Sequence, residues 1–92
     1  MSTSFGALLA THRIARGWSP HELGIRTGYG AGYVTRVERG RHVPSVETVG
    51  ALATILDLNA LDTRRLFVAA GYLPPGRWLV RDDLLVLAGG DA

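Results

Sequence analysis

From Ser19 to Gly40 the chain reads SPHELGIRTGYGAGYVTRVERG, and this stretch decides the fold. Leu23 and Ile25 mark the apolar side of one short helix. Val34 and Val37 are spaced to share one face of a second. Ser19 is an N-cap residue type, Pro20 suits the first helical position, and Glu22 completes a capping-box spacing. Gly28 stands where the first helix must stop and the backbone turn left-handed. Gly24, without a side chain, allows two helices to cross closely. Two helices joined by a short turn containing glycine are a helix-turn-helix.

Working outward, the pattern predicts three more helices. One covers 5–16, with Ser4 as its cap, Phe5, Leu8, Leu9, Ile14 and Ala15 as its buried stripe, and Gly17 as its stop. Trp18 is expected as an apolar plug. The two central helices are expected over 20–27 and 31–39, with Gly40 as the second one's C-cap. Arg41 to Pro44 form a loop. Ser45 caps a fourth helix that buries Val46, Val49, Leu52, Ala53 and Leu56. Asn59 caps a fifth, with Leu61, Leu66 and Phe67 inward, and Gly71 stops it. Five helices with short connections make a compact all-α domain. Beyond it, Tyr72 to Gly76 (YLPPG) cannot lie inside a helix. The stretch Trp78 to Ala88, WLVRDDLLVLA, is too apolar for a solvated tail. It is expected as a sixth helix rather than a strand, folded onto its own domain or packed on a partner copy.

The 92 residues fit one domain, and no cysteine is present for disulfides or thiolate metal sites. The start of the chain lacks a basic leader, and no apolar run is long enough to span a bilayer. No membrane association is expected, and a cytoplasmic location is. The net charge is only +2, yet all ten basic residues are arginine. From Arg13 to His42 six arginines face two glutamates, whereas from Val43 to Ala92 four arginines face six acids. The basic half is the half that carries the helix-turn-helix, as a DNA-facing surface requires.

The stretch resembles the helix-turn-helix of the Cro/CI-type (XRE) family of bacterial and phage regulators. The likeness rests on Arg13, Gly17-Trp18-Ser19, Leu23, Gly24, Gly28, Val34, Val37-Glu38-Arg39-Gly40 and Pro44-Ser45 at these spacings, and it spans about residues 5–73. It implies a lambda-repressor-like five-helix DNA-binding domain over 1–73. Residues 74–92 are then a C-terminal segment for dimerisation or partner binding. It also implies a transcriptional regulator, expected to be a nucleoid-associated repressor that binds double-stranded DNA as a homodimer. Two copies would place their second motif helices in successive major grooves, about 34 Å apart on a near-palindromic operator.

Carried over position by position, the base-facing residues are Ala31, Gly32, Tyr33, Thr35 and Arg36. Arg36 can bond guanine O6 and N7 in a bidentate way, a contact worth about 1–3 kcal/mol of discrimination. Thr35 offers a hydroxyl and a methyl, and Tyr33 a ring for thymine methyls or a hydroxyl for phosphate. The phosphate contacts expected are Ser19, His21, Arg39, Arg41 and His42. Arg13 and Glu38 correspond to the family's buried structural ion pair, which braces the first helix to the end of the third. The chain departs from the family pattern at Gly30, Ala31 and Gly32, where polar side chains are usual. Close backbone approach with apolar contact from Ala31, readout of DNA shape, and loss of tight sequence specificity all fit that composition.

Chemistry of other kinds finds little support. His12, His21 and His42 are scattered, with no metal-ligand spacing, so neither a metal nor another cofactor is expected. GYGAG has neither the spacing nor the preceding strand of a phosphate-binding loop. The chain is not expected to be an enzyme. The alternative function is an antitoxin-like or accessory module that uses the same fold to bind a protein, through the apolar residues 78–88.

Overall fold

The computed structural model describes residues 4–72. They form α1 (Phe5–Ala15), α2 (Pro20–Thr27), α3 (Ala31–Glu38), α4 (Val46–Ile55) and α5 (Ala60–Ala69), with no strand among the described residues. The all-α architecture expected from the sequence is the one observed. The apolar C-terminal segment and its boundary with the domain lie outside the described residues.

Local chemistry sets the helix starts. Ser4, Ser19, Ser45 and Asn59 each accept a backbone N–H with a side-chain oxygen, from Ala7, Glu22, Thr48 and Asp62 respectively. Each satisfies one of the donors that a helix start leaves without a carbonyl. The capping box at α2 is only half formed. Ser19 Oγ lies 3.1 Å from the Glu22 nitrogen, but the Glu22 carboxylate turns to Arg26 Nε at 2.7 Å. Losing the cap oxygen in Ser19→Ala is expected to cost about 1 kcal/mol of unfolding free energy, measurable by urea titration.

The core is built from the inward faces of all five helices, with Leu9, Leu23, Val34, Val37, Val49, Leu52 and Leu66 fully enclosed. The buried stripe of α1 differs from expectation. Phe5 and Leu9 continue at the next turn into Arg13, not Ile14, because positions 5, 9 and 13 share one side of a helix. Ile14 is 63% exposed and falls with Ala7 and Thr11 on the outer side, and Ala15 is exposed too. Ile25 also points outward, because Leu23 and Thr27 hold the inner face of α2. Leu61, expected inside, is 53% exposed; one full repeat later Val68 is 52% exposed on the same side of α5.

Two glycines bring backbones together. A Cβ on Gly24 would overlap the Gly30 carbonyl carbon and lie 2.5 Å from the Ala31 nitrogen. A Cβ on Gly6 would overlap the Glu38 carbonyl oxygen and lie 2.6 Å from that of Val37. Both ends of α3 are thus approached by neighbouring helices at backbone distance. The Tyr72 hydroxyl donates to the Pro44 carbonyl at 2.7 Å, which ties the exit of α5 to the loop before α4.

Candidate nucleic-acid interface

The outward face of α3 is available because its inward face is fully used. Val34 and Val37 are buried, while Gly32 and Arg36 are exposed and Ala31, Tyr33 and Thr35 are partly so. α2 and α3 pack against each other more extensively than any other pair of helices. Between them the Gly28 N–H donates to the carbonyls of Gly24 and Ile25, with φ at +80°, and the Gly30 N–H donates to Gly24 as well. The turn is therefore closed on backbone bonds, and α3 starts at Gly30 without a side-chain cap.

The other end of α3 is held by an ion pair. Arg13 Nε and Nη2 reach the two Glu38 carboxylate oxygens at 2.7 and 3.0 Å, and Arg13 Nη1 donates to the Trp18 carbonyl at 2.8 Å. Both side chains are 12% exposed. The Glu38 hydrogen bonds hold the Arg13 pKa above its ordinary value, outweighing the opposing effect of burial. Such a planar fork fixes angle as well as distance. One guanidinium thus joins α1, the loop carrying Trp18 and the last turn of α3. Trp18 packs against the core as expected, and its ring also meets Arg26 at 4.2 Å and Arg16 at 5.9 Å. Sequence reading missed these cation–π contacts, because Arg26 lies on the next helix and no local spacing marks the pair.

Past Glu38 the chain turns back through Gly40, with φ at +77°. The Gly40 N–H donates to Val37 at 3.0 Å and the Arg41 N–H to Arg36 at 2.9 Å. This Schellman-type closure leaves Arg39, Arg41 and His42 exposed beside the last turn of α3. The His42 ring lies edge-on to Tyr33 at 5.3 Å, Tyr33 lies 5.0 Å from Tyr29, and the Arg36 guanidinium stands 5.8 Å from the Tyr33 ring. Burial raises the Tyr33 pKa above the usual tyrosine value, outweighing a hydrogen bond with Thr48 that lowers it. The phenol therefore stays neutral at physiological pH.

The structure thus gathers three of the sequence-derived candidates, Tyr33, Arg36 and His42, into one cluster and adds Tyr29 to it. Tyr29 escaped notice because Gly30 interrupts the helix between two residues that otherwise have helical spacing. Ala31, Gly32 and Thr35 lie on the same helix, and Arg39 and Arg41 adjoin its end. Ser19 and His21 form a separate exposed pair at the start of α2. Among the described residues no group of three His, Cys, Asp or Glu side chains could hold a metal ion, and no helix is long and apolar enough to cross a membrane.

A helix-turn-helix domain family model matches residues 4–67, well over half of the chain. The chain belongs to the helix-turn-helix domain family. No curated protein and no solved structure matches the chain significantly. Helix-turn-helix domains of this kind bind DNA, with the second helix of the motif in the major groove. In this helix-turn-helix domain those two helices are α2 and α3.

Proposed function

We propose that this chain is a sequence-specific double-stranded DNA-binding regulator, a non-enzymatic repressor that acts in the cytoplasm on a near-palindromic operator. The observation that carries the reading is the outward face of α3. Arg36 is exposed in the last turn of that helix, and the opposite face is locked by the core and the Arg13–Glu38 pair. In this reading α3 lies in the major groove. Arg36 reads guanine, Thr35 and Tyr33 meet bases or thymine methyls, and Ala31 and Gly32 permit close approach. Ala31 and Gly32 lack hydrogen-bonding side chains, so part of the selectivity comes from DNA shape. Arg39, Arg41, His42, Ser19 and His21 contact phosphates on either side. A single domain of this size makes few phosphate contacts, so two copies bind as a homodimer to reach useful affinity. In this division residues 1–73 form the DNA-binding domain, and 74–92 are a separate C-terminal segment.

Fluorescence anisotropy with labelled duplexes at several salt concentrations tests the division of labour. Arg36→Ala is expected to reduce discrimination between the preferred and a scrambled duplex by about 1–3 kcal/mol. Arg41→Ala is expected to weaken both duplexes alike and to lower the salt slope by about one. Equal loss on both duplexes in Arg36→Ala would remove it from base readout.

A further inference from the structure

The face of α5 opposite the core is not finished by the described residues. Leu61 and Val68 stand exposed one full repeat apart, and with Leu8 and Ala69 they line a groove of about 540 Å³ between α1 and α5. Arg64 and Arg65 line the same groove. Arg65 has a loose contact with Asp62 at 3.6 Å, and Arg64 has no carboxylate partner among the described residues. The groove is thus apolar along its length and cationic where the two arginines stand.

We infer that residues 78–88 of the same chain occupy this groove, running antiparallel to α5. The match is one of chemistry, length and direction. The stretch WLVRDDLLVLA carries apolar residues on both sides of Asp82-Asp83, a pattern that sets leucines against Leu61 and Val68 and carboxylates against Arg64 and Arg65. As a helix its eleven residues extend about 16 Å, close to the 15 Å or so of ten-residue α5. Tyr72, the last of the described residues, stands about one turn beyond Ala69 at the end of the groove. Between Tyr72 and Trp78 the sequence has Pro74-Pro75-Gly76, a proline-then-glycine order that suits the central positions of a reversing turn. A short reversing connection holds the segment at high effective concentration over its own domain. Pairing this groove with the same groove of a second copy would instead oppose two arginine pairs across a two-fold axis. The inference concerns the domain's own packing and does not rest on the DNA-binding reading.

The chain has no cysteine, so paired cysteines can be placed without background. Leu61→Cys is combined in turn with Leu84→Cys, Leu85→Cys, Val86→Cys and Leu87→Cys in the full chain. Each is oxidised at low protein concentration and analysed by mass and by gel mobility. Ile25→Cys, on an exposed position of α2, replaces Leu61→Cys in the control series. The expected result is a disulfide within one chain in at least one Leu61 pairing, in yield at least about tenfold above the Ile25 series. Arg64→Glu with Arg65→Glu is expected to lower that yield several-fold, and adding Asp82→Arg with Asp83→Arg to restore it. Circular dichroism confirms that each variant retains its helices before oxidation. Disulfide-linked dimers as the main product, or equal yields from Leu61 and Ile25, would overturn the inference.

Discussion

Replacing Glu38 with alanine is expected to lower the melting temperature by about 12 °C or more. Arg13 and Glu38 are both 12% exposed, and the carboxylate accepts two of the guanidinium's hydrogen bonds. Removing the acid leaves a cation enclosed with its Trp18 carbonyl bond alone. Breaking a buried pair from one side costs about 3–5 kcal/mol, and each kcal/mol moves the midpoint of a domain this small by about 4–8 °C. The pair's net contribution is much smaller than that loss, because desolvation offsets most of the attraction. Arg13→Met with Glu38→Leu should therefore recover most of the lost stability. Recovery will be incomplete, since the Trp18 carbonyl then lacks its donor, at about 1–3 kcal/mol if it stays dry. Thermal melts of the three variants check this, and an unchanged midpoint for Glu38→Ala would rule out a bracing role. The double variant should also bind DNA less well than its stability suggests, because the fork sets the angle of α3.

Gly24→Ala is the second change of large effect, and here two terms oppose each other. Alanine favours a helix over glycine by about 1 kcal/mol. Against that, the added methyl would overlap the Gly30 carbonyl carbon and stand 2.5 Å from the Ala31 nitrogen. Those atoms are backbone at the start of α3, so no rotamer change relieves the overlap and the two helices must separate. The net expectation is destabilisation by about 1–2 kcal/mol, with loss of DNA affinity as α3 shifts from its seat. Gly50→Ala is the control. Its nearest neighbour is the tip of the Phe67 ring at 3.8 Å, ordinary contact, so the propensity gain should survive and stabilise by about 0.5–1 kcal/mol. Opposite signs for two glycine-to-alanine changes, each within a helix, would show that the crossing at Gly24 decides its cost. A stabilised Gly24→Ala would show that the crossing tolerates a side chain.

The helices were legible in the sequence because their ends are written locally. Ser4, Ser19, Ser45 and Asn59 each cap the helix that follows them, and Gly28 takes the left-handed backbone expected of it. What faces inward was less legible. Ile14 and Leu61 are apolar, but a neighbouring row on the same helix faces the core, and only packing selects between rows. Gly6 gave no local sign of its contact with Glu38 and Val37, which lie more than thirty residues away. Asp57 takes a left-handed conformation, φ +54°, in the turn before Asn59, although it is not a glycine. The pairing of Arg13 with Glu38 came from family resemblance, not from any spacing. The candidate interface was legible as a helix and a set of arginines. The aromatic run from Tyr29 through Tyr33 to His42 depends on the fold bringing the loop after α3 back beside it.

Selection from random duplexes with the purified chain at fixed, near-physiological salt, repeated with Arg36→Ala, tests the central claim most directly. The account predicts an enriched near-palindrome with half-sites one or a whole number of helical turns apart. The variant should lose preference at one symmetry-related pair of positions and keep it elsewhere. Binding without enrichment, or an enriched site unchanged by Arg36→Ala, would contradict the assignment of α3 and Arg36 to sequence readout.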